Sequence, residues 1–279
     1  MQVYDAERCE WGNELVRVVP FIYNQFITGK DVSIHTTKGM RYFYFFLNDD
    51  RVIIKYPHRY QLSGVLSEGI PKQNLYADEL NYEKWTPPPY KIYFEGQPLT
   101  FPKNKFSAKR KTIIISNKYN KEWMWTGLNT IPLQILDEMF QYLVPKFNVI
   151  YNRLKPEFFV GDDDTLSHEE FNDSALLEKH PSVIDINQLY LDNSPMDIGD
   201  FQLRVFSKAD RFINVQGGLG HFASYFGGKQ LFFLERNGHK HIEHSRLKHL
   251  QGWHTSLGGA EVLTANKEDV LSKLEFLTN

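Results

Sequence analysis

Residues 212–228, FINVQGGLGHFASYFGG, join an apolar strand pattern to an amphipathic helix through a glycine-rich turn. The preceding residues 211–215 predict a buried strand. Four apolar residues spaced i, i+3, i+4 and i+7 predict a helix that begins at or just after Gly218: Leu219, Phe222, Ala223 and Phe226. The turn therefore follows the carboxyl end of a strand, which is where open α/β sheets bind their ligands.

The glycines of this turn predict an anion site. Gly217 and Gly218 can adopt positive φ and place no side chain in front of the first backbone N–H groups of the helix, which have no intrahelical partner. Together with the positive end of the helix dipole, these groups suit a phosphate. The predicted contacts are Gln216, Gly217, Gly218, Leu219, Gly220 and His221. The alternative is a tight strand-to-helix turn that binds nothing.

Residues 106–279 alternate between short apolar strands and amphipathic helices. Strands are predicted at 112–116, 148–152, 182–186, 211–215, 230–235 and 260–264. Helices are predicted at 131–144, with Thr130 as N-cap, at 174–179, 198–208 and 219–226, and after Asn266 as N-cap. Because the strands lack polar alternation, both faces of their sheet should be covered, so we expect a doubly wound parallel sheet in a C-terminal nucleotide-binding domain.

Residues 1–105 predict a smaller N-terminal α/β domain. A strand at 3–6 precedes a helix at 13–28, which Pro20 should kink and Gly29 should stop. Strands are then predicted from VSIHTT (32–37), RYFYFFL (41–47), RVIIKY (51–56) and KIYFEG (91–96). The proline-rich, loop-heavy stretch 57–105 is interpreted as the connection between the domains.

Composition limits the classes of function. The protein has a net charge of −2, so it lacks the overall positive charge with which many proteins bind nucleic acids. The single cysteine, Cys9, and an acidic N-terminal stretch without a long apolar core predict a cytoplasmic protein. No apolar run approaches the roughly 20 residues of a membrane-spanning helix.

Two kinds of anion compete for the glycine turn. Gly218-x-Gly220-x-x-Ala223 matches a dinucleotide fingerprint, with Glu235 placed to hold a ribose, and would indicate an NAD(P)-dependent oxidoreductase. Against this, three strand–helix units precede the turn, whereas the fingerprint normally opens the first unit. The other anion is the diphosphate of a nucleotide-sugar. A third possibility is a non-catalytic module that binds a nucleotide or a glycan.

The turn and its surroundings resemble the heptosyltransferase-like group of glycosyltransferases, which have the two-Rossmann-domain (GT-B) architecture. The similarity covers QGGLGH (216–221), FASYF (222–226) and QLFFLERNG (230–238), the K-x-W element Lys121-Glu122-Trp123, and Gly12-Asn13-Glu14 followed by LVRVVPF. The motifs WTPPPYK (85–91) and ISNKYN (115–120) also resemble segments of transferases from surface-glycan gene sets. Two positions depart from the group: Gln216 replaces an acid, and Asn13 replaces the candidate base.

The resemblance implies a cytoplasmic glycosyltransferase that moves a sugar from a UDP- or GDP-sugar to a glycan or glycolipid in surface or capsular polysaccharide synthesis. Lys121 is implied as a donor-phosphate contact, and Lys118 is a second candidate from the same loop. Glu14 is the predicted base, with Asn13 and His221 beside the reaction; an ordinary first-turn acid is the alternative for Glu14. Strand ends predict further donor contacts at Asn117, Asn152, Arg153, Asp185 and Gln188.

Two clusters invite a metal interpretation. Asp162-Asp163-Asp164 is similar to the D-x-D of metal-dependent sugar transferases, but a solvated acidic loop is the simpler interpretation. Histidines crowd residues 238–254 without a completing cysteine or carboxylate pattern: His239, His241, His244, His249 and His254. We therefore predict no metal and no resident cofactor. We interpret the histidine-rich stretch as a basic surface that could favour an anionic substrate or a lipid headgroup through peripheral membrane association.

Overall fold

The computed structural model describes residues 1–6, 9–56, 69–71, 83–117, 130–155, 158, 172–215, 217–234 and 252–279. Within these ranges, three parallel strands form one sheet, called the small sheet, in the order β1-β2-β3. Its strands are β1 (Gln2–Asp5), β2 (Val32–Thr37) and β3 (Val52–Tyr56).

Six parallel strands of the described residues form the large sheet, in the order β6-β5-β4-β7-β8-β9. They are β4 (Thr112–Ser116), β5 (Asn148–Asn152), β6 (Ile184–Asp185), β7 (Arg211–Val215), β8 (Lys229–Phe233) and β9 (Glu261–Ala265). The chain builds outward from β4 through β5 to β6 and then returns to place β7 on the other side of β4. The predicted doubly wound parallel sheet is confirmed.

Helices connect and cover the strands. The described helices are α1 (Trp11–Asn13), α2 (Val19–Ile27), α3 (Tyr90–Phe94), α4 (Leu133–Leu143), α5 (Asp173–Lys179), α6 (Ile186–Asp192), α7 (Ile198–Ser207), α8 (Gly218–Ser224), α9 (252–258) and α10 (Glu275–Thr278). A π-helical turn, Glu14–Val18, joins α1 to α2. The sequence predicted a kink at Pro20, and the structure has this π-helical turn just before it. Pro20 lies in the first turn of α2 and has no N–H to donate to the preceding turn.

Alternate residues of β4 enter two different cores. Ile113 and Ile115 pack in a cluster with the apolar stripe of α4, whereas Ile114 packs in a cluster that also contains Tyr4 and Ile34 of the small sheet. Both faces of the large sheet are therefore covered, as its apolar strands predicted. One hydrophobic core runs from the small sheet to the large sheet, and the domain boundary near residue 105 stays a prediction.

Two aromatic segments are helical where strands were predicted. Arg41–Tyr44 forms a 3-10 helix, and Tyr90–Phe94 forms α3 directly after Pro89. The rings of Phe43 and Tyr90 meet edge to face, with centroids 6.0 Å apart at 84°. Aromatic residues favour strands only when they lie on a pleated surface. Here they fill the space between helices, so tertiary packing overrides the local preference.

Two helix starts also differ from the prediction. Pro132, not Thr130, is the N-cap of α4, because the side chain of Asn117 binds the backbone N–H and C=O of Ile131 and fixes the entry to the helix. The strand predicted at 182–186 is reduced to Ile184–Asp185, because the Asp185 carboxylate accepts the Asn187 N–H and starts α6. At the C-terminus, Asn266 makes the expected reciprocal capping bonds, although the chain first forms a 3-10 turn before α10.

Candidate functional site

The candidate site lies at the carboxyl edge of the large sheet, between β4 and β7. The chain leaves β4 toward β5 and leaves β7 toward β8, in opposite directions along the sheet. Such a switch point opens a crevice at the carboxyl ends of the strands, and ligands of open α/β sheets bind there. The predicted glycine turn directly follows β7, so the structure places it at this crevice.

Each glycine of the turn is required by its backbone conformation or by close packing. Gly217 has φ 143° and ψ −167°, a conformation that side chains rarely adopt. A Cβ on Gly218 would lie 2.6 Å from Trp11 Cε3, and a Cβ on Gly220 would lie 2.5 Å from Phe232 Cε1. The glycines are therefore required by the turn and its contacts, and their number by itself does not indicate a ligand. Among the described residues, the amides of Gly218 and Leu219 have no backbone hydrogen-bond partner.

The N-terminal loop implied by the resemblance touches this turn. A Cβ on Gly12 would lie 3.3 Å from Gly218 Cα, and the Trp11 ring packs on Phe222 of α8 at 5.9 Å between centroids. The Tyr225 hydroxyl donates to the backbone carbonyl of Leu15, 210 positions away in the sequence. The structure thus brings together the loop that carries the predicted base and the turn that carries the predicted donor contacts.

Glu14 does not face open solvent. Its side chain is fully buried, and Oε1 accepts hydrogen bonds from Thr36 Oγ1 at 2.6 Å and from the Tyr44 hydroxyl at 2.7 Å. Burial, and then the neighbouring carboxylate, raises the pKa of Tyr44 well above 10, so Tyr44 stays a donor. The carboxylate of the predicted base is therefore not exposed in this structure, and the role of Glu14 as a base stays a prediction.

Glu10 is a carboxylate of the same loop that the sequence analysis missed. It is partly exposed, and its Oε2 accepts a hydrogen bond of 3.0 Å from Asn13 Nδ2. Asn13 cannot itself accept a proton as a carboxylate would, but its amide orients the acid three residues before it. The only available signal was this i, i+3 spacing at the start of a helix, which also occurs in ordinary capping.

His221 is a neutral group next to the turn. Its ring stacks on that of His254 of α9, with centroids 4.9 Å apart and planes 15° apart. Burial lowers the pKa of His221 to about 4, and burial followed by His221 lowers that of His254 well below 6.5. Ser224 Oγ lies 2.6 Å from His254 Nδ1, but both residues are buried, so this pair does not reach a substrate. His221 can offer a hydrogen bond but no positive charge at neutral pH.

Several predicted donor contacts have structural partners. Arg153 is buried, with Nη1 2.7 Å from Asp173 Oδ2. Asn117 holds the backbone of Ile131, and Asp185 caps α6, as described above. Gln188 is exposed and donates to Asp192 within the same helix at 2.7 Å. Each of the four side chains thus has a partner within the fold, and their part in donor binding stays a prediction.

Three polar side chains form a row across the centre of the large sheet, which we call the polar row: Asn152 of β5, Ser116 of β4 and Asn214 of β7. Ser116 is the strand partner of both asparagines, and Asn152 Nδ2 donates to Ser116 Oγ at 3.1 Å. All three are buried. Of these three, the sequence predicted a site role for Asn152 alone; the available signal was one polar residue within the last two positions of each of these apolar strands.

Several predicted residues lie outside the described part of the chain. These are Lys118, Lys121 and Gln216, the acidic run Asp162-Asp163-Asp164, Glu235, and four of the five clustered histidines, His239, His241, His244 and His249. Among the described residues, no three His, Cys, Asp or Glu side chains are grouped as metal ligands, and no helix has the length and hydropathy to cross a bilayer.

Comparison with solved structures identifies the fold. The chain superposes on the Escherichia coli ADP-heptose LPS heptosyltransferase II with a TM-score of 0.57 and 10% sequence identity, covering 100% of this chain and 98% of that one. The wall teichoic acid polymerase TagF is a weaker match, with a TM-score of 0.33, 13% identity, and coverage of 92% of this chain and 51% of that one. No protein-family model and no curated protein sequence matches the chain. The GT-B fold of the heptosyltransferase type, which the sequence predicted, is confirmed by the first of these structures.

Proposed function

We propose that this chain is a glycosyltransferase that moves a sugar from a nucleoside-diphosphate donor to a hydroxyl of a glycan or glycolipid acceptor. The observation that carries the proposal is the contact between the Gly12 loop and the glycine turn, at the carboxyl edge of a GT-B fold. In this fold the reaction needs a donor-diphosphate site and an acceptor-side group at one place, and these two segments are the candidates for them. We infer that the acceptor is an intermediate of surface or capsular glycan synthesis and that the reaction takes place in the cytoplasm.

The leaving diphosphate needs electrostatic stabilisation as the sugar departs. We assign this to the backbone amides of Gly218 and Leu219, with Lys118 or Lys121 as the predicted cation. His221 supplies a neutral hydrogen bond, because its lowered pKa keeps it uncharged. On this proposal the sugar nucleotide, a UDP- or GDP-sugar, is a co-substrate, and no metal or resident cofactor takes part.

The acceptor hydroxyl must lose a proton to a base within hydrogen-bond reach. Glu10 is partly exposed and oriented by Asn13, whereas the Glu14 carboxylate is buried against Thr36 and Tyr44. We therefore propose Glu10 as the base and Glu14 as a residue that positions the loop. Removing a general base costs about 10²–10⁴-fold in turnover.

The matched pair Glu10→Gln and Glu14→Gln tests these roles. Glu10→Gln should lose at least about 100-fold in turnover with nucleotide affinity unchanged. Glu14→Gln should keep most of its turnover, since an amide oxygen can still accept from both hydroxyls. The reverse result would return the role of base to Glu14, as the sequence analysis predicted.

Ligand-dependent stability tests the class of function. A ligand at about one hundred times its dissociation constant should add roughly 2.7 kcal/mol to the free energy of unfolding. We expect UDP or GDP to raise the melting temperature and NAD to leave it unchanged. The Gly218-x-Gly220-x-x-Ala223 fingerprint follows β7, the fourth strand of the large sheet along the chain, and not β4, which opens it. A shift with NAD alone would reject the transferase and favour the oxidoreductase.

The sugar itself can be found by turnover. A panel of UDP- and GDP-sugars, scored for slow hydrolysis in the absence of acceptor, should contain one donor that the chain consumes. Loss of that hydrolysis in Glu10→Gln would mark it as a reaction of the same site. Binding of nucleotides with no hydrolysis of any donor would instead support the non-catalytic binding module.

A further inference from the structure

Asn214 is an exception among the buried polar residues of the large sheet. Its side chain is 0% exposed, yet neither Nδ2 nor Oδ1 has a hydrogen-bond partner among the described residues. A buried amide without partners costs free energy, and native proteins keep such a group only where water, a ligand or a functional role accounts for it.

A second unpartnered atom lies in the same row. Asn152 donates to Ser116 Oγ, but its Oδ1 is buried and has no partner in the described structure. Ser116 stands between the two asparagines in strand register, on the face of the sheet that carries Ile114, Ile150 and Phe212. The polar row therefore offers one free donor group and two free acceptor oxygens, at the switch point between β4 and β7.

The chemistry of the row selects the kind of ligand group. Amide and hydroxyl side chains carry no charge and offer both donors and acceptors. A hydroxyl, which also donates and accepts, matches them, whereas a phosphate would find two acceptor oxygens facing it. All three side chains of the row are buried, so a ligand outside the sheet can form hydrogen bonds with them only through an ordered water. Ordered waters are held at buried polar sites that offer several unpartnered donors and acceptors.

We propose that the polar row holds an ordered water that receives a hydroxyl of the ribose or the sugar, while the diphosphate of the same ligand lies at the glycine turn. The inference rests on the proposed function for the placement of the diphosphate. It adds that Asn214 is a positioning residue for the hydroxyl-bearing part of the donor and does not contribute to phosphate binding.

The test is Asn214→Leu in the full chain, with isothermal titration of UDP, GDP and inorganic pyrophosphate. Affinity for the better-bound nucleoside diphosphate should fall about tenfold, which is the loss of one to two hydrogen bonds, while affinity for pyrophosphate stays within about twofold. The melting temperature without ligand should stay equal or rise, because an apolar side chain replaces an unsatisfied buried amide. Asn214→Ala, which adds no volume, provides the same comparison if the leucine variant fails to fold.

Asn148→Leu is the matched control at the opposite end of β5. Asn148 is equally buried, but its amide makes three hydrogen bonds, to the N–H and C=O of Ser107 and to the Arg110 carbonyl. Its replacement should lower the melting temperature and leave the affinity for nucleoside diphosphates unchanged.

The outcomes separate the inference from the proposed function. Unchanged affinity for the nucleoside diphosphate in Asn214→Leu, or an equal loss for pyrophosphate, would overturn the inference and leave the transferase standing. If the natural chain binds no nucleoside diphosphate, the proposed function fails and the hydroxyl assignment fails with it.

Discussion

The two ends of strands β5 and β7 differ in how their buried polar side chains are hydrogen-bonded. At the amino end, Asn148 makes three hydrogen bonds, and Arg211 donates Nε to the Leu277 carbonyl and Nη1 to the Asp210 carbonyl. At the carboxyl end, Asn214 has no partner among the described residues and Asn152 uses only its Nδ2.

This difference in hydrogen bonding indicates that the two ends of these strands have different roles, one in stability and one in function. Satisfied amides at the amino end hold the strands to the preceding loops and to the C-terminal segment, so their bonds contribute to folding. Unsatisfied amides at the carboxyl end cost stability, and a fold keeps such groups where they meet a ligand or an ordered water. On β5 and β7, the end that faces the crevice predicted from topology is therefore also the end with unpartnered amide atoms.

The largest expected effect tests whether the ligand-binding part of the carboxyl edge includes the end of β5. Arg153 follows β5 at the carboxyl end but is buried against Asp173 at 2.7 Å. Asp173→Asn should lower the free energy of unfolding by about 3–5 kcal/mol, since it removes the carboxylate charge that lies 2.7 Å from a buried guanidinium. Urea denaturation measures this. The control Asp192→Asn, at an exposed site, should change stability by less than about 0.5 kcal/mol.

A loss of stability below about 1 kcal/mol in Asp173→Asn would contradict the structural role of Arg153 at the end of β5. Arg153 would then have other support and could serve a ligand, as the sequence analysis predicted. The expected loss would instead confine the ligand-binding part of the edge to the neighbourhood of β4 and β7.

A smaller effect tests the packing role of the glycine turn. Gly218→Ala would place a Cβ 2.6 Å from Trp11 Cε3. Overpacking costs about 1–3 kcal/mol, against a gain of up to about 1 kcal/mol for alanine in a helix, so we expect a net loss of stability. Trp11→Leu removes the clashing ring atoms, and in the double variant the cost of the alanine should largely disappear.

If Gly218→Ala is as stable as the natural chain, the contact with Trp11 does not constrain the turn. The glycine would then be needed for access to the backbone amides alone, which nucleotide titration of the same variant would detect as weaker binding.

A further effect concerns acidity at the carboxyl end. Burial lowers the pKa of His221 from 6.5 in an open environment to about 4. The unfolded chain therefore takes up this proton first, and stability that is fully present above pH 6.5 is lost as the pH falls toward 4. Melting temperatures over this range should decline, and His221→Gln should flatten the decline. An identical slope in that variant would assign the acid sensitivity to other groups.

Elements with strong local patterns could be predicted, and elements shaped by contacts could not. The stripe of α4 predicted its buried residues Ile135, Leu136, Met139, Phe140 and Leu143 because an amphipathic period is a property of neighbouring residues. The aromatic segments 41–47 and 91–96 predict strands because aromatic residues favour strands on average. Their rings instead fill the space between helices, and no local pattern reports that space.

The sequence by itself determined the parallel large sheet and the position of the glycine turn after β7, because strand periodicity, helix spacing and turn chemistry act over a few residues. The GT-B architecture was implied only by the resemblance of its motifs to those of a known family. Only the tertiary structure decided that Gly12 and Trp11 meet Gly218, that Glu14 is buried while Glu10 is partly exposed, and that Asn214 has no partner. These facts depend on which distant side chains are brought together, and the free energy of such contacts is set by packing across the fold and not by the spacing of residues along the chain.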